Sequence, residues 1–322
     1  MSVMRRPVLV LGGLGFIGAH LANRLLTLGS RVTIVTPSRE RHQDLAHSME
    51  SRGARIVEAD VRDFDAMTAV VMNQETVFNL SGQSGAVRSM EDPWTDLDVN
   101  CRGNLTVLEA LRAVNRDATV VFVGSRLEYG TPEAQPVAED SVQDPLCLHA
   151  IHKLTAERYL RLYRRLFGIR YAIARLTNPY GPGQPQHRTT YGVVNRMIHL
   201  ALSDAALPIY GDGLQRRDYI YVEDAVAALI ALAESARSQG RAYNVGTGVG
   251  TPLVEMARAI IRAAGSGRVE SVAWPPLAAQ IETGDFVADI ARIRDEIGWT
   301  PVVSLDEGLQ RTVAFHRARV GC

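Results

Sequence analysis

The chain has 322 residues, of which 46% are hydrophobic and 22% charged, a size and balance that suit one large α/β domain or two domains sharing an interface. Its 35 basic and 35 acidic side chains cancel, which argues against a nucleic acid or an anionic membrane as partner. Because no apolar stretch reaches the roughly 18–20 residues of a membrane span and the three cysteines lack metal-ligand spacing, we expect a cytoplasmic protein without a metal.

Short apolar runs alternate with helical patterns through the first half of the chain. We predict strands at residues 7–11, 31–35, 55–57, 76–80, 119–123 and 171–176. Helices are predicted at 19–28, after Asp63, at 99–114 and at 149–167. This alternation predicts an α/β fold of Rossmann type, with a doubly wound parallel sheet and right-handed crossovers.

The pattern changes beyond residue 177. A Tyr-Asn-Val run at 243–245 predicts one more strand that returns to the main sheet, and helices are predicted at 193–202, 252–264 and 304–317. We therefore predict a larger domain of residues 1–177, to which 223–247 return, and a smaller C-terminal region of residues 178–222 and 248–322.

The turn after the first predicted strand is rich in glycine. Gly13, Gly15 and Gly18 satisfy the pattern G-x-G-x-x-G between a strand and a helix. Glycines there allow a tight turn and a close approach of a pyrophosphate, whose charge the helix N-terminus favours. The turn predicts binding of a nicotinamide dinucleotide, with contacts from Gly12, Gly15, Phe16, Ile17 and Gly18.

The end of the second strand usually selects the cofactor, because an acidic residue there binds the ribose hydroxyls of NAD. Here Thr36 occupies that position, and Arg39 and Arg41 follow it. We predict NADP(H) in preference to NAD(H), with guanidinium groups on the 2′-phosphate; the alternative is that both arginines are solvated surface charges. Further cofactor contacts are predicted for Asp60, which can instead cap a helix, and for Val61, Leu80 and Ser81.

Four segments together resemble the extended short-chain dehydrogenase/reductase family, in its nucleotide-sugar epimerase/dehydratase branch. They are Gly-Gly-Leu-Gly-Phe-Ile-Gly at 12–18 with His20 and Leu21, Asn-Pro-Tyr-Gly-Pro-Gly at 178–183, Tyr-Gly-Asp-Gly at 210–213 with Arg-Asp-Tyr-Ile-Tyr-Val-Glu-Asp at 217–224, and Ile-Gly-Trp-Thr-Pro at 297–301. The resemblance implies redox chemistry at C4 of a nucleotide-activated hexose, as 4-epimerisation or as reduction of a 4-keto sugar. It also implies that the larger domain binds the dinucleotide and the smaller region the nucleotide sugar.

The family's chemistry uses a Ser or Thr, a Tyr, and a Lys four residues after the Tyr. The resemblance places Ser125 and Lys153 at the first and last of these positions, while His149 stands where the Tyr is expected. Residues four apart share a helix face, and a neutral imidazole can exchange a proton at pH 7, so we predict that His149 replaces the Tyr as acid and base. The alternative is that His149 is a polar helix residue and the proton relay lies elsewhere.

Three polar residues are predicted to hold the substrate. The resemblance assigns Asn178 and Arg217 to the sugar nucleotide and its phosphates, with Arg188 or Arg196 as possible helpers because Trp274 replaces a phosphate-gripping arginine. Arg126 stands where family 4,6-dehydratases carry an acidic residue, which argues against dehydration. Its guanidinium can hold a carboxylate, an oxyanion or a phosphate, or else form a salt bridge with Glu128 or Glu139.

Two other functions remain open from the sequence: reduction of a carbonyl compound that carries no nucleotide, and cofactor binding without turnover. The phosphate-contacting segment at Arg217 argues against the first, and the retained Ser125 and Lys153 argue against the second. The resemblance also implies that a homodimer would form through the helices predicted at 99–114 and 149–167.

Overall fold

The computed structural model describes residues 6–184 and 192–320 and has a parallel sheet at its centre. In chain order the strands are β1 (Pro7–Leu11), β2 (Arg31–Thr36), β3 (Arg55–Glu58), β4 (Thr76–Asn79), β5 (Thr119–Ser125), β6 (Arg170–Leu176), β7 (Asn178–Tyr180), β8 (Ala206–Tyr210), β9 (Arg216–Tyr221), β10 (Arg241–Val245), β11 (Gly250–Pro252) and β12 (Arg268–Val272). Seven of them form the main sheet, in the order β10-β6-β5-β4-β1-β2-β3 with every pair parallel.

Helices cover both faces of this sheet. They are α1 (Phe16–Thr27), α2 (Gln43–Ser51), α3 (Phe64–Val71), α4 (Ala86–Glu91), α5 (Pro93–Leu97), α6 (Gly103–Val114), α7 (Leu148–Phe167), α8 (Val193–Leu202), α9 (Val222–Glu234), α10 (Leu253–Ala264), α11 (Pro276–Gln280), α12 (Ala291–Ile297) and α13 (Leu305–Val320). None of them is both long and apolar enough to cross a membrane.

The central strand β1 shows why the sheet is buried on both faces. Val8 and Val10 pack into one apolar cluster with residues of α1 and α9, whereas Leu9 and Leu11 pack into a second cluster with residues of α3, α6 and α7. Successive side chains of a strand point to opposite faces, so an all-apolar run satisfies both helical layers. The order of the chain reverses between β1 and β4, which opens a crevice at their carboxyl ends.

The C-terminal half adds a smaller core beside this crevice. Strands β11, β9 and β7 form one small sheet and β12 pairs with β8 in another. Helices α8, α10 and α13 pack around them and bury Met197, Ile198, Met256 and Ile260. This arrangement places β7, β9 and the segments that follow them over the carboxyl edge of the main sheet.

The α/β fold and the predicted main-sheet strands are confirmed, including the return of β10 beside β6. One predicted helix starts later than expected, because residues 98–102 form a π-helical turn and the α-helix begins at Gly103. Helix α9 was not predicted. Its sequence is apolar on nearly every side and lacks the alternation of polar and apolar faces that marks a surface helix.

Candidate active site

A long groove runs along the carboxyl edge of the main sheet, at the reversal between β1 and β4. Its walls come from the glycine turn, the ends of β2, β4 and β5, the first turns of α7, and the smaller C-terminal core. In open α/β sheets ligands bind at this edge. All the predicted site residues except Arg39 line the groove.

The glycine turn has the backbone that a dinucleotide requires. Gly12 adopts φ +75°, and the N–H of Gly15 donates to the carbonyl of Gly12 at 3.0 Å. A Cβ atom on Gly18 would lie 2.3 Å from the carbonyl oxygen of Gly12, so no larger residue fits between α1 and the turn. Because α1 begins at Phe16, the free N–H groups of its first turn and its positive dipole end face the groove, where a pyrophosphate would be held.

The two arginines that were predicted to bind a 2′-phosphate both follow β2, but only one of them lines the groove. The guanidinium of Arg39 pairs with the carboxylate of Glu50 at 2.7 Å, outside the groove. A contact between Arg39 and a cofactor therefore requires this ion pair to open. Arg41 lines the groove, with no ion pair in the described parts of the chain, and Thr36 lies at the end of β2 as predicted.

The ends of β3 and β4 line the same side of the groove. Asp60, Val61, Leu80 and Ser81 all face it. The carboxylate of Asp60 accepts two hydrogen bonds from the Arg62 guanidinium, at 2.6 and 2.9 Å, and this interaction lowers the pKa of Asp60. Asp60 does not cap α3; that role belongs to Asp63, whose carboxylate accepts the N–H of Ala66.

Ser125, His149 and Lys153 meet on one wall of the groove. Ser125 is the last residue of β5, and the two others lie one turn apart near the start of α7. The ammonium of Lys153 donates to the carbonyl of Val123 at 3.0 Å and lies 4.9 Å from the centre of the Phe122 ring. Burial lowers the pKa of Lys153 to about 8. Both His149 and Lys153 are buried, and burial together with the charge of Lys153 lowers the pKa of His149.

A buried ionic cluster stands directly behind this wall. The guanidinium of Arg175 on β6 donates to both carboxylate oxygens of Glu157 on α7, at 2.9 and 2.7 Å. Glu128, also fully buried, lies 3.5 Å from the same guanidinium and accepts the N–H of Ser125 at 2.7 Å. Burial and the charge of Glu157 raise the pKa of Glu128, whereas hydrogen bonds from Arg175 lower the pKa of Glu157 despite its burial.

The orientation of Glu128 is set by the turn that follows β5. Strand β5 ends at Ser125, and residues 126–129 form a 3₁₀ turn. This turn, capped by the Ser125 side chain, directs Glu128 into the interior and leaves Arg126 facing the groove.

Asp96 is a member of the site that the sequence did not reveal. It is fully buried on α5, and its Oδ1 atom lies 2.6 Å from Nδ1 of His152, while its Oδ2 atom lies 3.8 Å from Nδ1 of His149. His152, which lies next to Lys153 in the chain, is therefore bound to the same carboxylate that His149 faces. No local pattern around residue 96 marks it, because the contact joins segments 56 residues apart.

Arg126 is a buried cation without a carboxylate partner among the described residues. Its Nε atom donates to Oδ1 of Asn178 at 3.2 Å and its Nη1 atom to the Thr283 hydroxyl at 2.9 Å. The expected alternative of a salt bridge is wrong, because Glu128 is held by Arg175 and Glu139 lies beside Arg292. Burial and the charge of Arg217 lower the pKa of Arg126 to about 9.

Arg217 lies close to Arg126 but has a partner. Its guanidinium donates to the carboxylate of Glu282 and to the carbonyl of Gly284. Arg196 also lines the groove, while Arg188 falls outside the described residues. The indole of Trp274 lies against the ring of Tyr210, with 5.1 Å between the ring centres. These groups form the wall opposite the glycine turn.

The described residues contain no cluster of three or more metal-ligating side chains, and Cys101 and Cys147 are free thiols.

Comparison with known proteins adds independent information. A sequence model of the group described as the NAD dependent epimerase/dehydratase family matches residues 8–246. A UDP-glucose 4-epimerase of Mycolicibacterium smegmatis is 34% identical over 311 residues, which cover 96% of this chain and 98% of that protein. These matches confirm the resemblance inferred from the sequence motifs.

Two solved structures share the whole fold. The UDP-glucose 4-epimerase of Thermotoga maritima with UDP-glucose superimposes with a TM-score of 0.89 at 29% identity, covering 98% of this chain and 99% of that one. The UDP-glucose 4-epimerase of Thermus thermophilus in complex with NAD gives a TM-score of 0.85 at 30% identity, covering 97% and 99%.

Proposed function

The chain belongs to the NAD dependent epimerase/dehydratase family, and on this premise we propose that it is an enzyme that epimerises a nucleotide-activated hexose at C4. The observation that carries the proposal is the placement of His149 and Lys153, buried together in the groove that the glycine turn and Ser125 also line. The relatives named as UDP-glucose 4-epimerases support this choice of reaction. Net reduction of a 4-keto sugar is the second candidate, favoured by the absence of an acidic residue at Thr36.

Each catalytic side chain has a proposed task. A nicotinamide dinucleotide held by the glycine turn and Lys153 would supply reversible hydride transfer at C4 of the sugar. His149 takes the proton of the C4 hydroxyl and gives it back, which it can do because its lowered pKa keeps the imidazole neutral at pH 7. The Ser125 hydroxyl orients the C4 oxygen. Lys153, fixed by the Val123 carbonyl, holds the nicotinamide ribose and adds a positive charge beside the imidazole.

The first prediction concerns His149. His149→Phe removes the proposed proton acceptor, and we expect kcat to fall by about 10²-fold or more. Dinucleotide affinity should stay the same, because the glycine turn and Lys153 are untouched. The purified protein is incubated with NAD or NADPH and a panel of UDP-, dTDP- and GDP-hexoses and 4-keto-hexoses; NMR identifies the product and nicotinamide absorbance measures consumption.

The same assay separates the candidate functions. Product without net consumption of the dinucleotide indicates epimerisation, and stoichiometric consumption indicates reduction. Turnover retained by His149→Phe would contradict the acid–base role. Dinucleotide binding without turnover of any sugar in the panel would contradict the enzymatic proposal itself.

We also propose that the smaller region, residues 178–222 and 248–322, binds the nucleotide sugar, while residues 1–177 and 223–247 bind the dinucleotide. Asn178 and Arg217 belong to the smaller region; Asn178 accepts a hydrogen bond from Arg126, and Arg217 lines the groove close to it. Since Glu282 already neutralises Arg217, Arg126 is the member of this pair that lacks a carboxylate partner among the described residues. A buried charge without a counter-ion gains most from an anionic ligand, so we propose that Arg126 binds an anionic group of the substrate.

The second prediction identifies that group. Arg126→Gln should lower kcat/KM for a nucleotide hexuronate by about 30-fold or more if Arg126 holds a sugar carboxylate, since loss of a buried charged hydrogen bond costs roughly 2–5 kcal/mol. The kcat/KM for a nucleotide hexose whose sugar has no carboxylate would then change little. If Arg126 instead holds the diphosphate, both substrates fall together. Unchanged kinetics with both would contradict the proposal, and Arg262→Gln, at an exposed position, is the control.

For the cofactor we propose a preference for NADP(H) over NAD(H). The relatives give no support for this preference, since the Thermus thermophilus structure contains NAD. The proposal rests on Thr36, which supplies no carboxylate to the ribose, and on Arg41, whose charge faces the groove at the end of β2. A 2′-phosphate bound there would meet a guanidinium and no acidic side chain of β2.

The third prediction follows from these two residues. Arg41→Ala should weaken NADPH binding by about 10-fold or more, the loss expected for one charge-assisted hydrogen bond, with little effect on NADH. Arg39→Ala is the matched comparison. It removes the same charge from the same loop, but Glu50 already holds that guanidinium, so we expect a smaller change. Dissociation constants from nicotinamide fluorescence test both expectations. A parent protein that binds NADH more tightly than NADPH would contradict the proposed preference.

We propose that two copies of the chain associate through α7. Ile151, Leu162 and Leu166 are exposed apolar residues on one face of this helix, and Trp94 on the adjoining α5 is 78% exposed. Exposed apolar residues that share one helix face are typical of a protein interface.

The fourth prediction tests that surface. Leu162→Glu places a charge in the proposed interface and should convert a dimer to a monomer in light scattering at micromolar concentration. Val302→Glu, at an exposed position far along the chain, should leave the mass unchanged. A parent protein that is monomeric, or a variant that stays dimeric, contradicts the proposed interface.

A further inference from the structure

One carboxylate stands between two imidazoles beneath the proposed catalytic wall. Asp96 is fully buried; its Oδ1 atom lies 2.6 Å from Nδ1 of His152 and its Oδ2 atom 3.8 Å from Nδ1 of His149. Within residues 6–184 and 192–320, neither Oδ2 of Asp96 nor Nδ1 of His149 has a hydrogen-bond partner. Two unsatisfied polar atoms thus face each other inside the protein.

The chemistry of the two groups fixes how they can pair. An ionised carboxylate only accepts hydrogen bonds, so the nitrogen that faces it must carry the proton. A buried charge that lacks full compensation is costly, which favours closure of the remaining gap. A hydrogen bond of about 2.8 Å needs the imidazole and the carboxylate to approach by about 1 Å, a change that side-chain rotation can supply.

We propose that Asp96 is a positioning residue for His149, holding the imidazole in the tautomer protonated at Nδ1 and leaving Nε2 to exchange the substrate's proton. When Nε2 accepts that proton, Nδ1 keeps its own, and the imidazolium is stabilised by the carboxylate, which stays ionised. His152 occupies the other oxygen and so fixes the carboxylate's orientation. This inference rests on the proposed acid–base role of His149.

The surrounding groups do not offer a competing counter-charge. Lys153, on the same helix, disfavours a proton on His149. Burial and the charge of Asp96 raise the pKa values of the Cys101 and Cys147 thiols, so both stay neutral at pH 7. Glu128 acts on Lys153 and not on His149, and its carboxyl group is held by Arg175 behind β5. Asp96 is therefore the anion that acts on His149, and the neighbouring imidazoles lower its own pKa despite burial.

The decisive variant is Asp96→Asn, which keeps the shape and removes the charge. We expect kcat to fall by about 10- to 100-fold while KM and dinucleotide affinity change little. The acidic limb of the kcat/KM profile, which reports protonation of the base, should move to lower pH by about one unit, because the stabilising anion is gone. Asp92→Ala is the structural control. It removes the N-cap of the same helix and should move neither the limb nor kcat by a comparable amount.

A second measurement keeps the inference testable if Asp96→Asn does not fold. ¹⁵N NMR of the imidazoles reports tautomer and titration without substrate, and His149→Phe identifies the signal among the eight histidines. We expect the Nδ1–H tautomer at His149. The substitution His152→Leu should shift the titration of His149 to higher pH, because Asp96 then interacts with one imidazole instead of two.

The outcomes distinguish the two proposals. A His149 ring in the Nε2–H tautomer, or an acidic limb unchanged in a folded Asp96→Asn variant, overturns the role of Asp96 and leaves the proposed function standing. Full turnover by His149→Phe overturns the acid–base proposal, whatever the NMR signal shows.

Discussion

The guanidinium of Arg175 is the contact on which the geometry of the groove depends. It ties β6 to α7 through the two oxygens of Glu157, and it reaches the 3₁₀ turn after β5 through Glu128. These contacts add to the backbone pairing of β5 with β6 and link the three elements through buried polar groups. Removing one member of such a buried group leaves the others uncompensated, at a cost of about 3–5 kcal/mol.

The cluster around Arg175 therefore supports the wall of the groove that carries Ser125, His149 and Lys153. Glu157 is one helical turn beyond Lys153, and Glu128 accepts the backbone N–H of Ser125, so the cluster fixes both halves of the proposed catalytic set from behind. Arg126 belongs to the same turn, and its side chain emerges on the groove side because Glu128 occupies the interior. Preorganisation of this kind keeps the proposed catalytic side chains close to a productive geometry.

Features that depend on neighbouring residues could be predicted from the sequence. The strands follow from apolar runs, the strand–turn–helix unit at the N-terminus from the glycine turn, and the shared face of His149 and Lys153 from helical spacing. Features that depend on distant pairing could not. Glu50 takes the guanidinium of Arg39, Thr283 accepts from Arg126 across 157 residues, and Asp96 meets the two histidines from another helix. Nothing in a local pattern specifies which acidic residue a buried cation or imidazole will meet.

Asp96 also bears on how an imidazole can work at a position where the family resemblance implies a tyrosine. A lysine four residues on lowers the pKa of a phenol towards neutrality, which makes the phenolate available as a base at pH 7. The same positive charge also lowers the pKa of an imidazole, but an imidazole is already the free base at pH 7, so the charge only weakens it as a base. Burial adds to this effect at His149. A histidine beside Lys153 therefore needs a nearby anion to recover its basicity, and the buried carboxylate 3.8 Å from Nδ1 is placed to supply it.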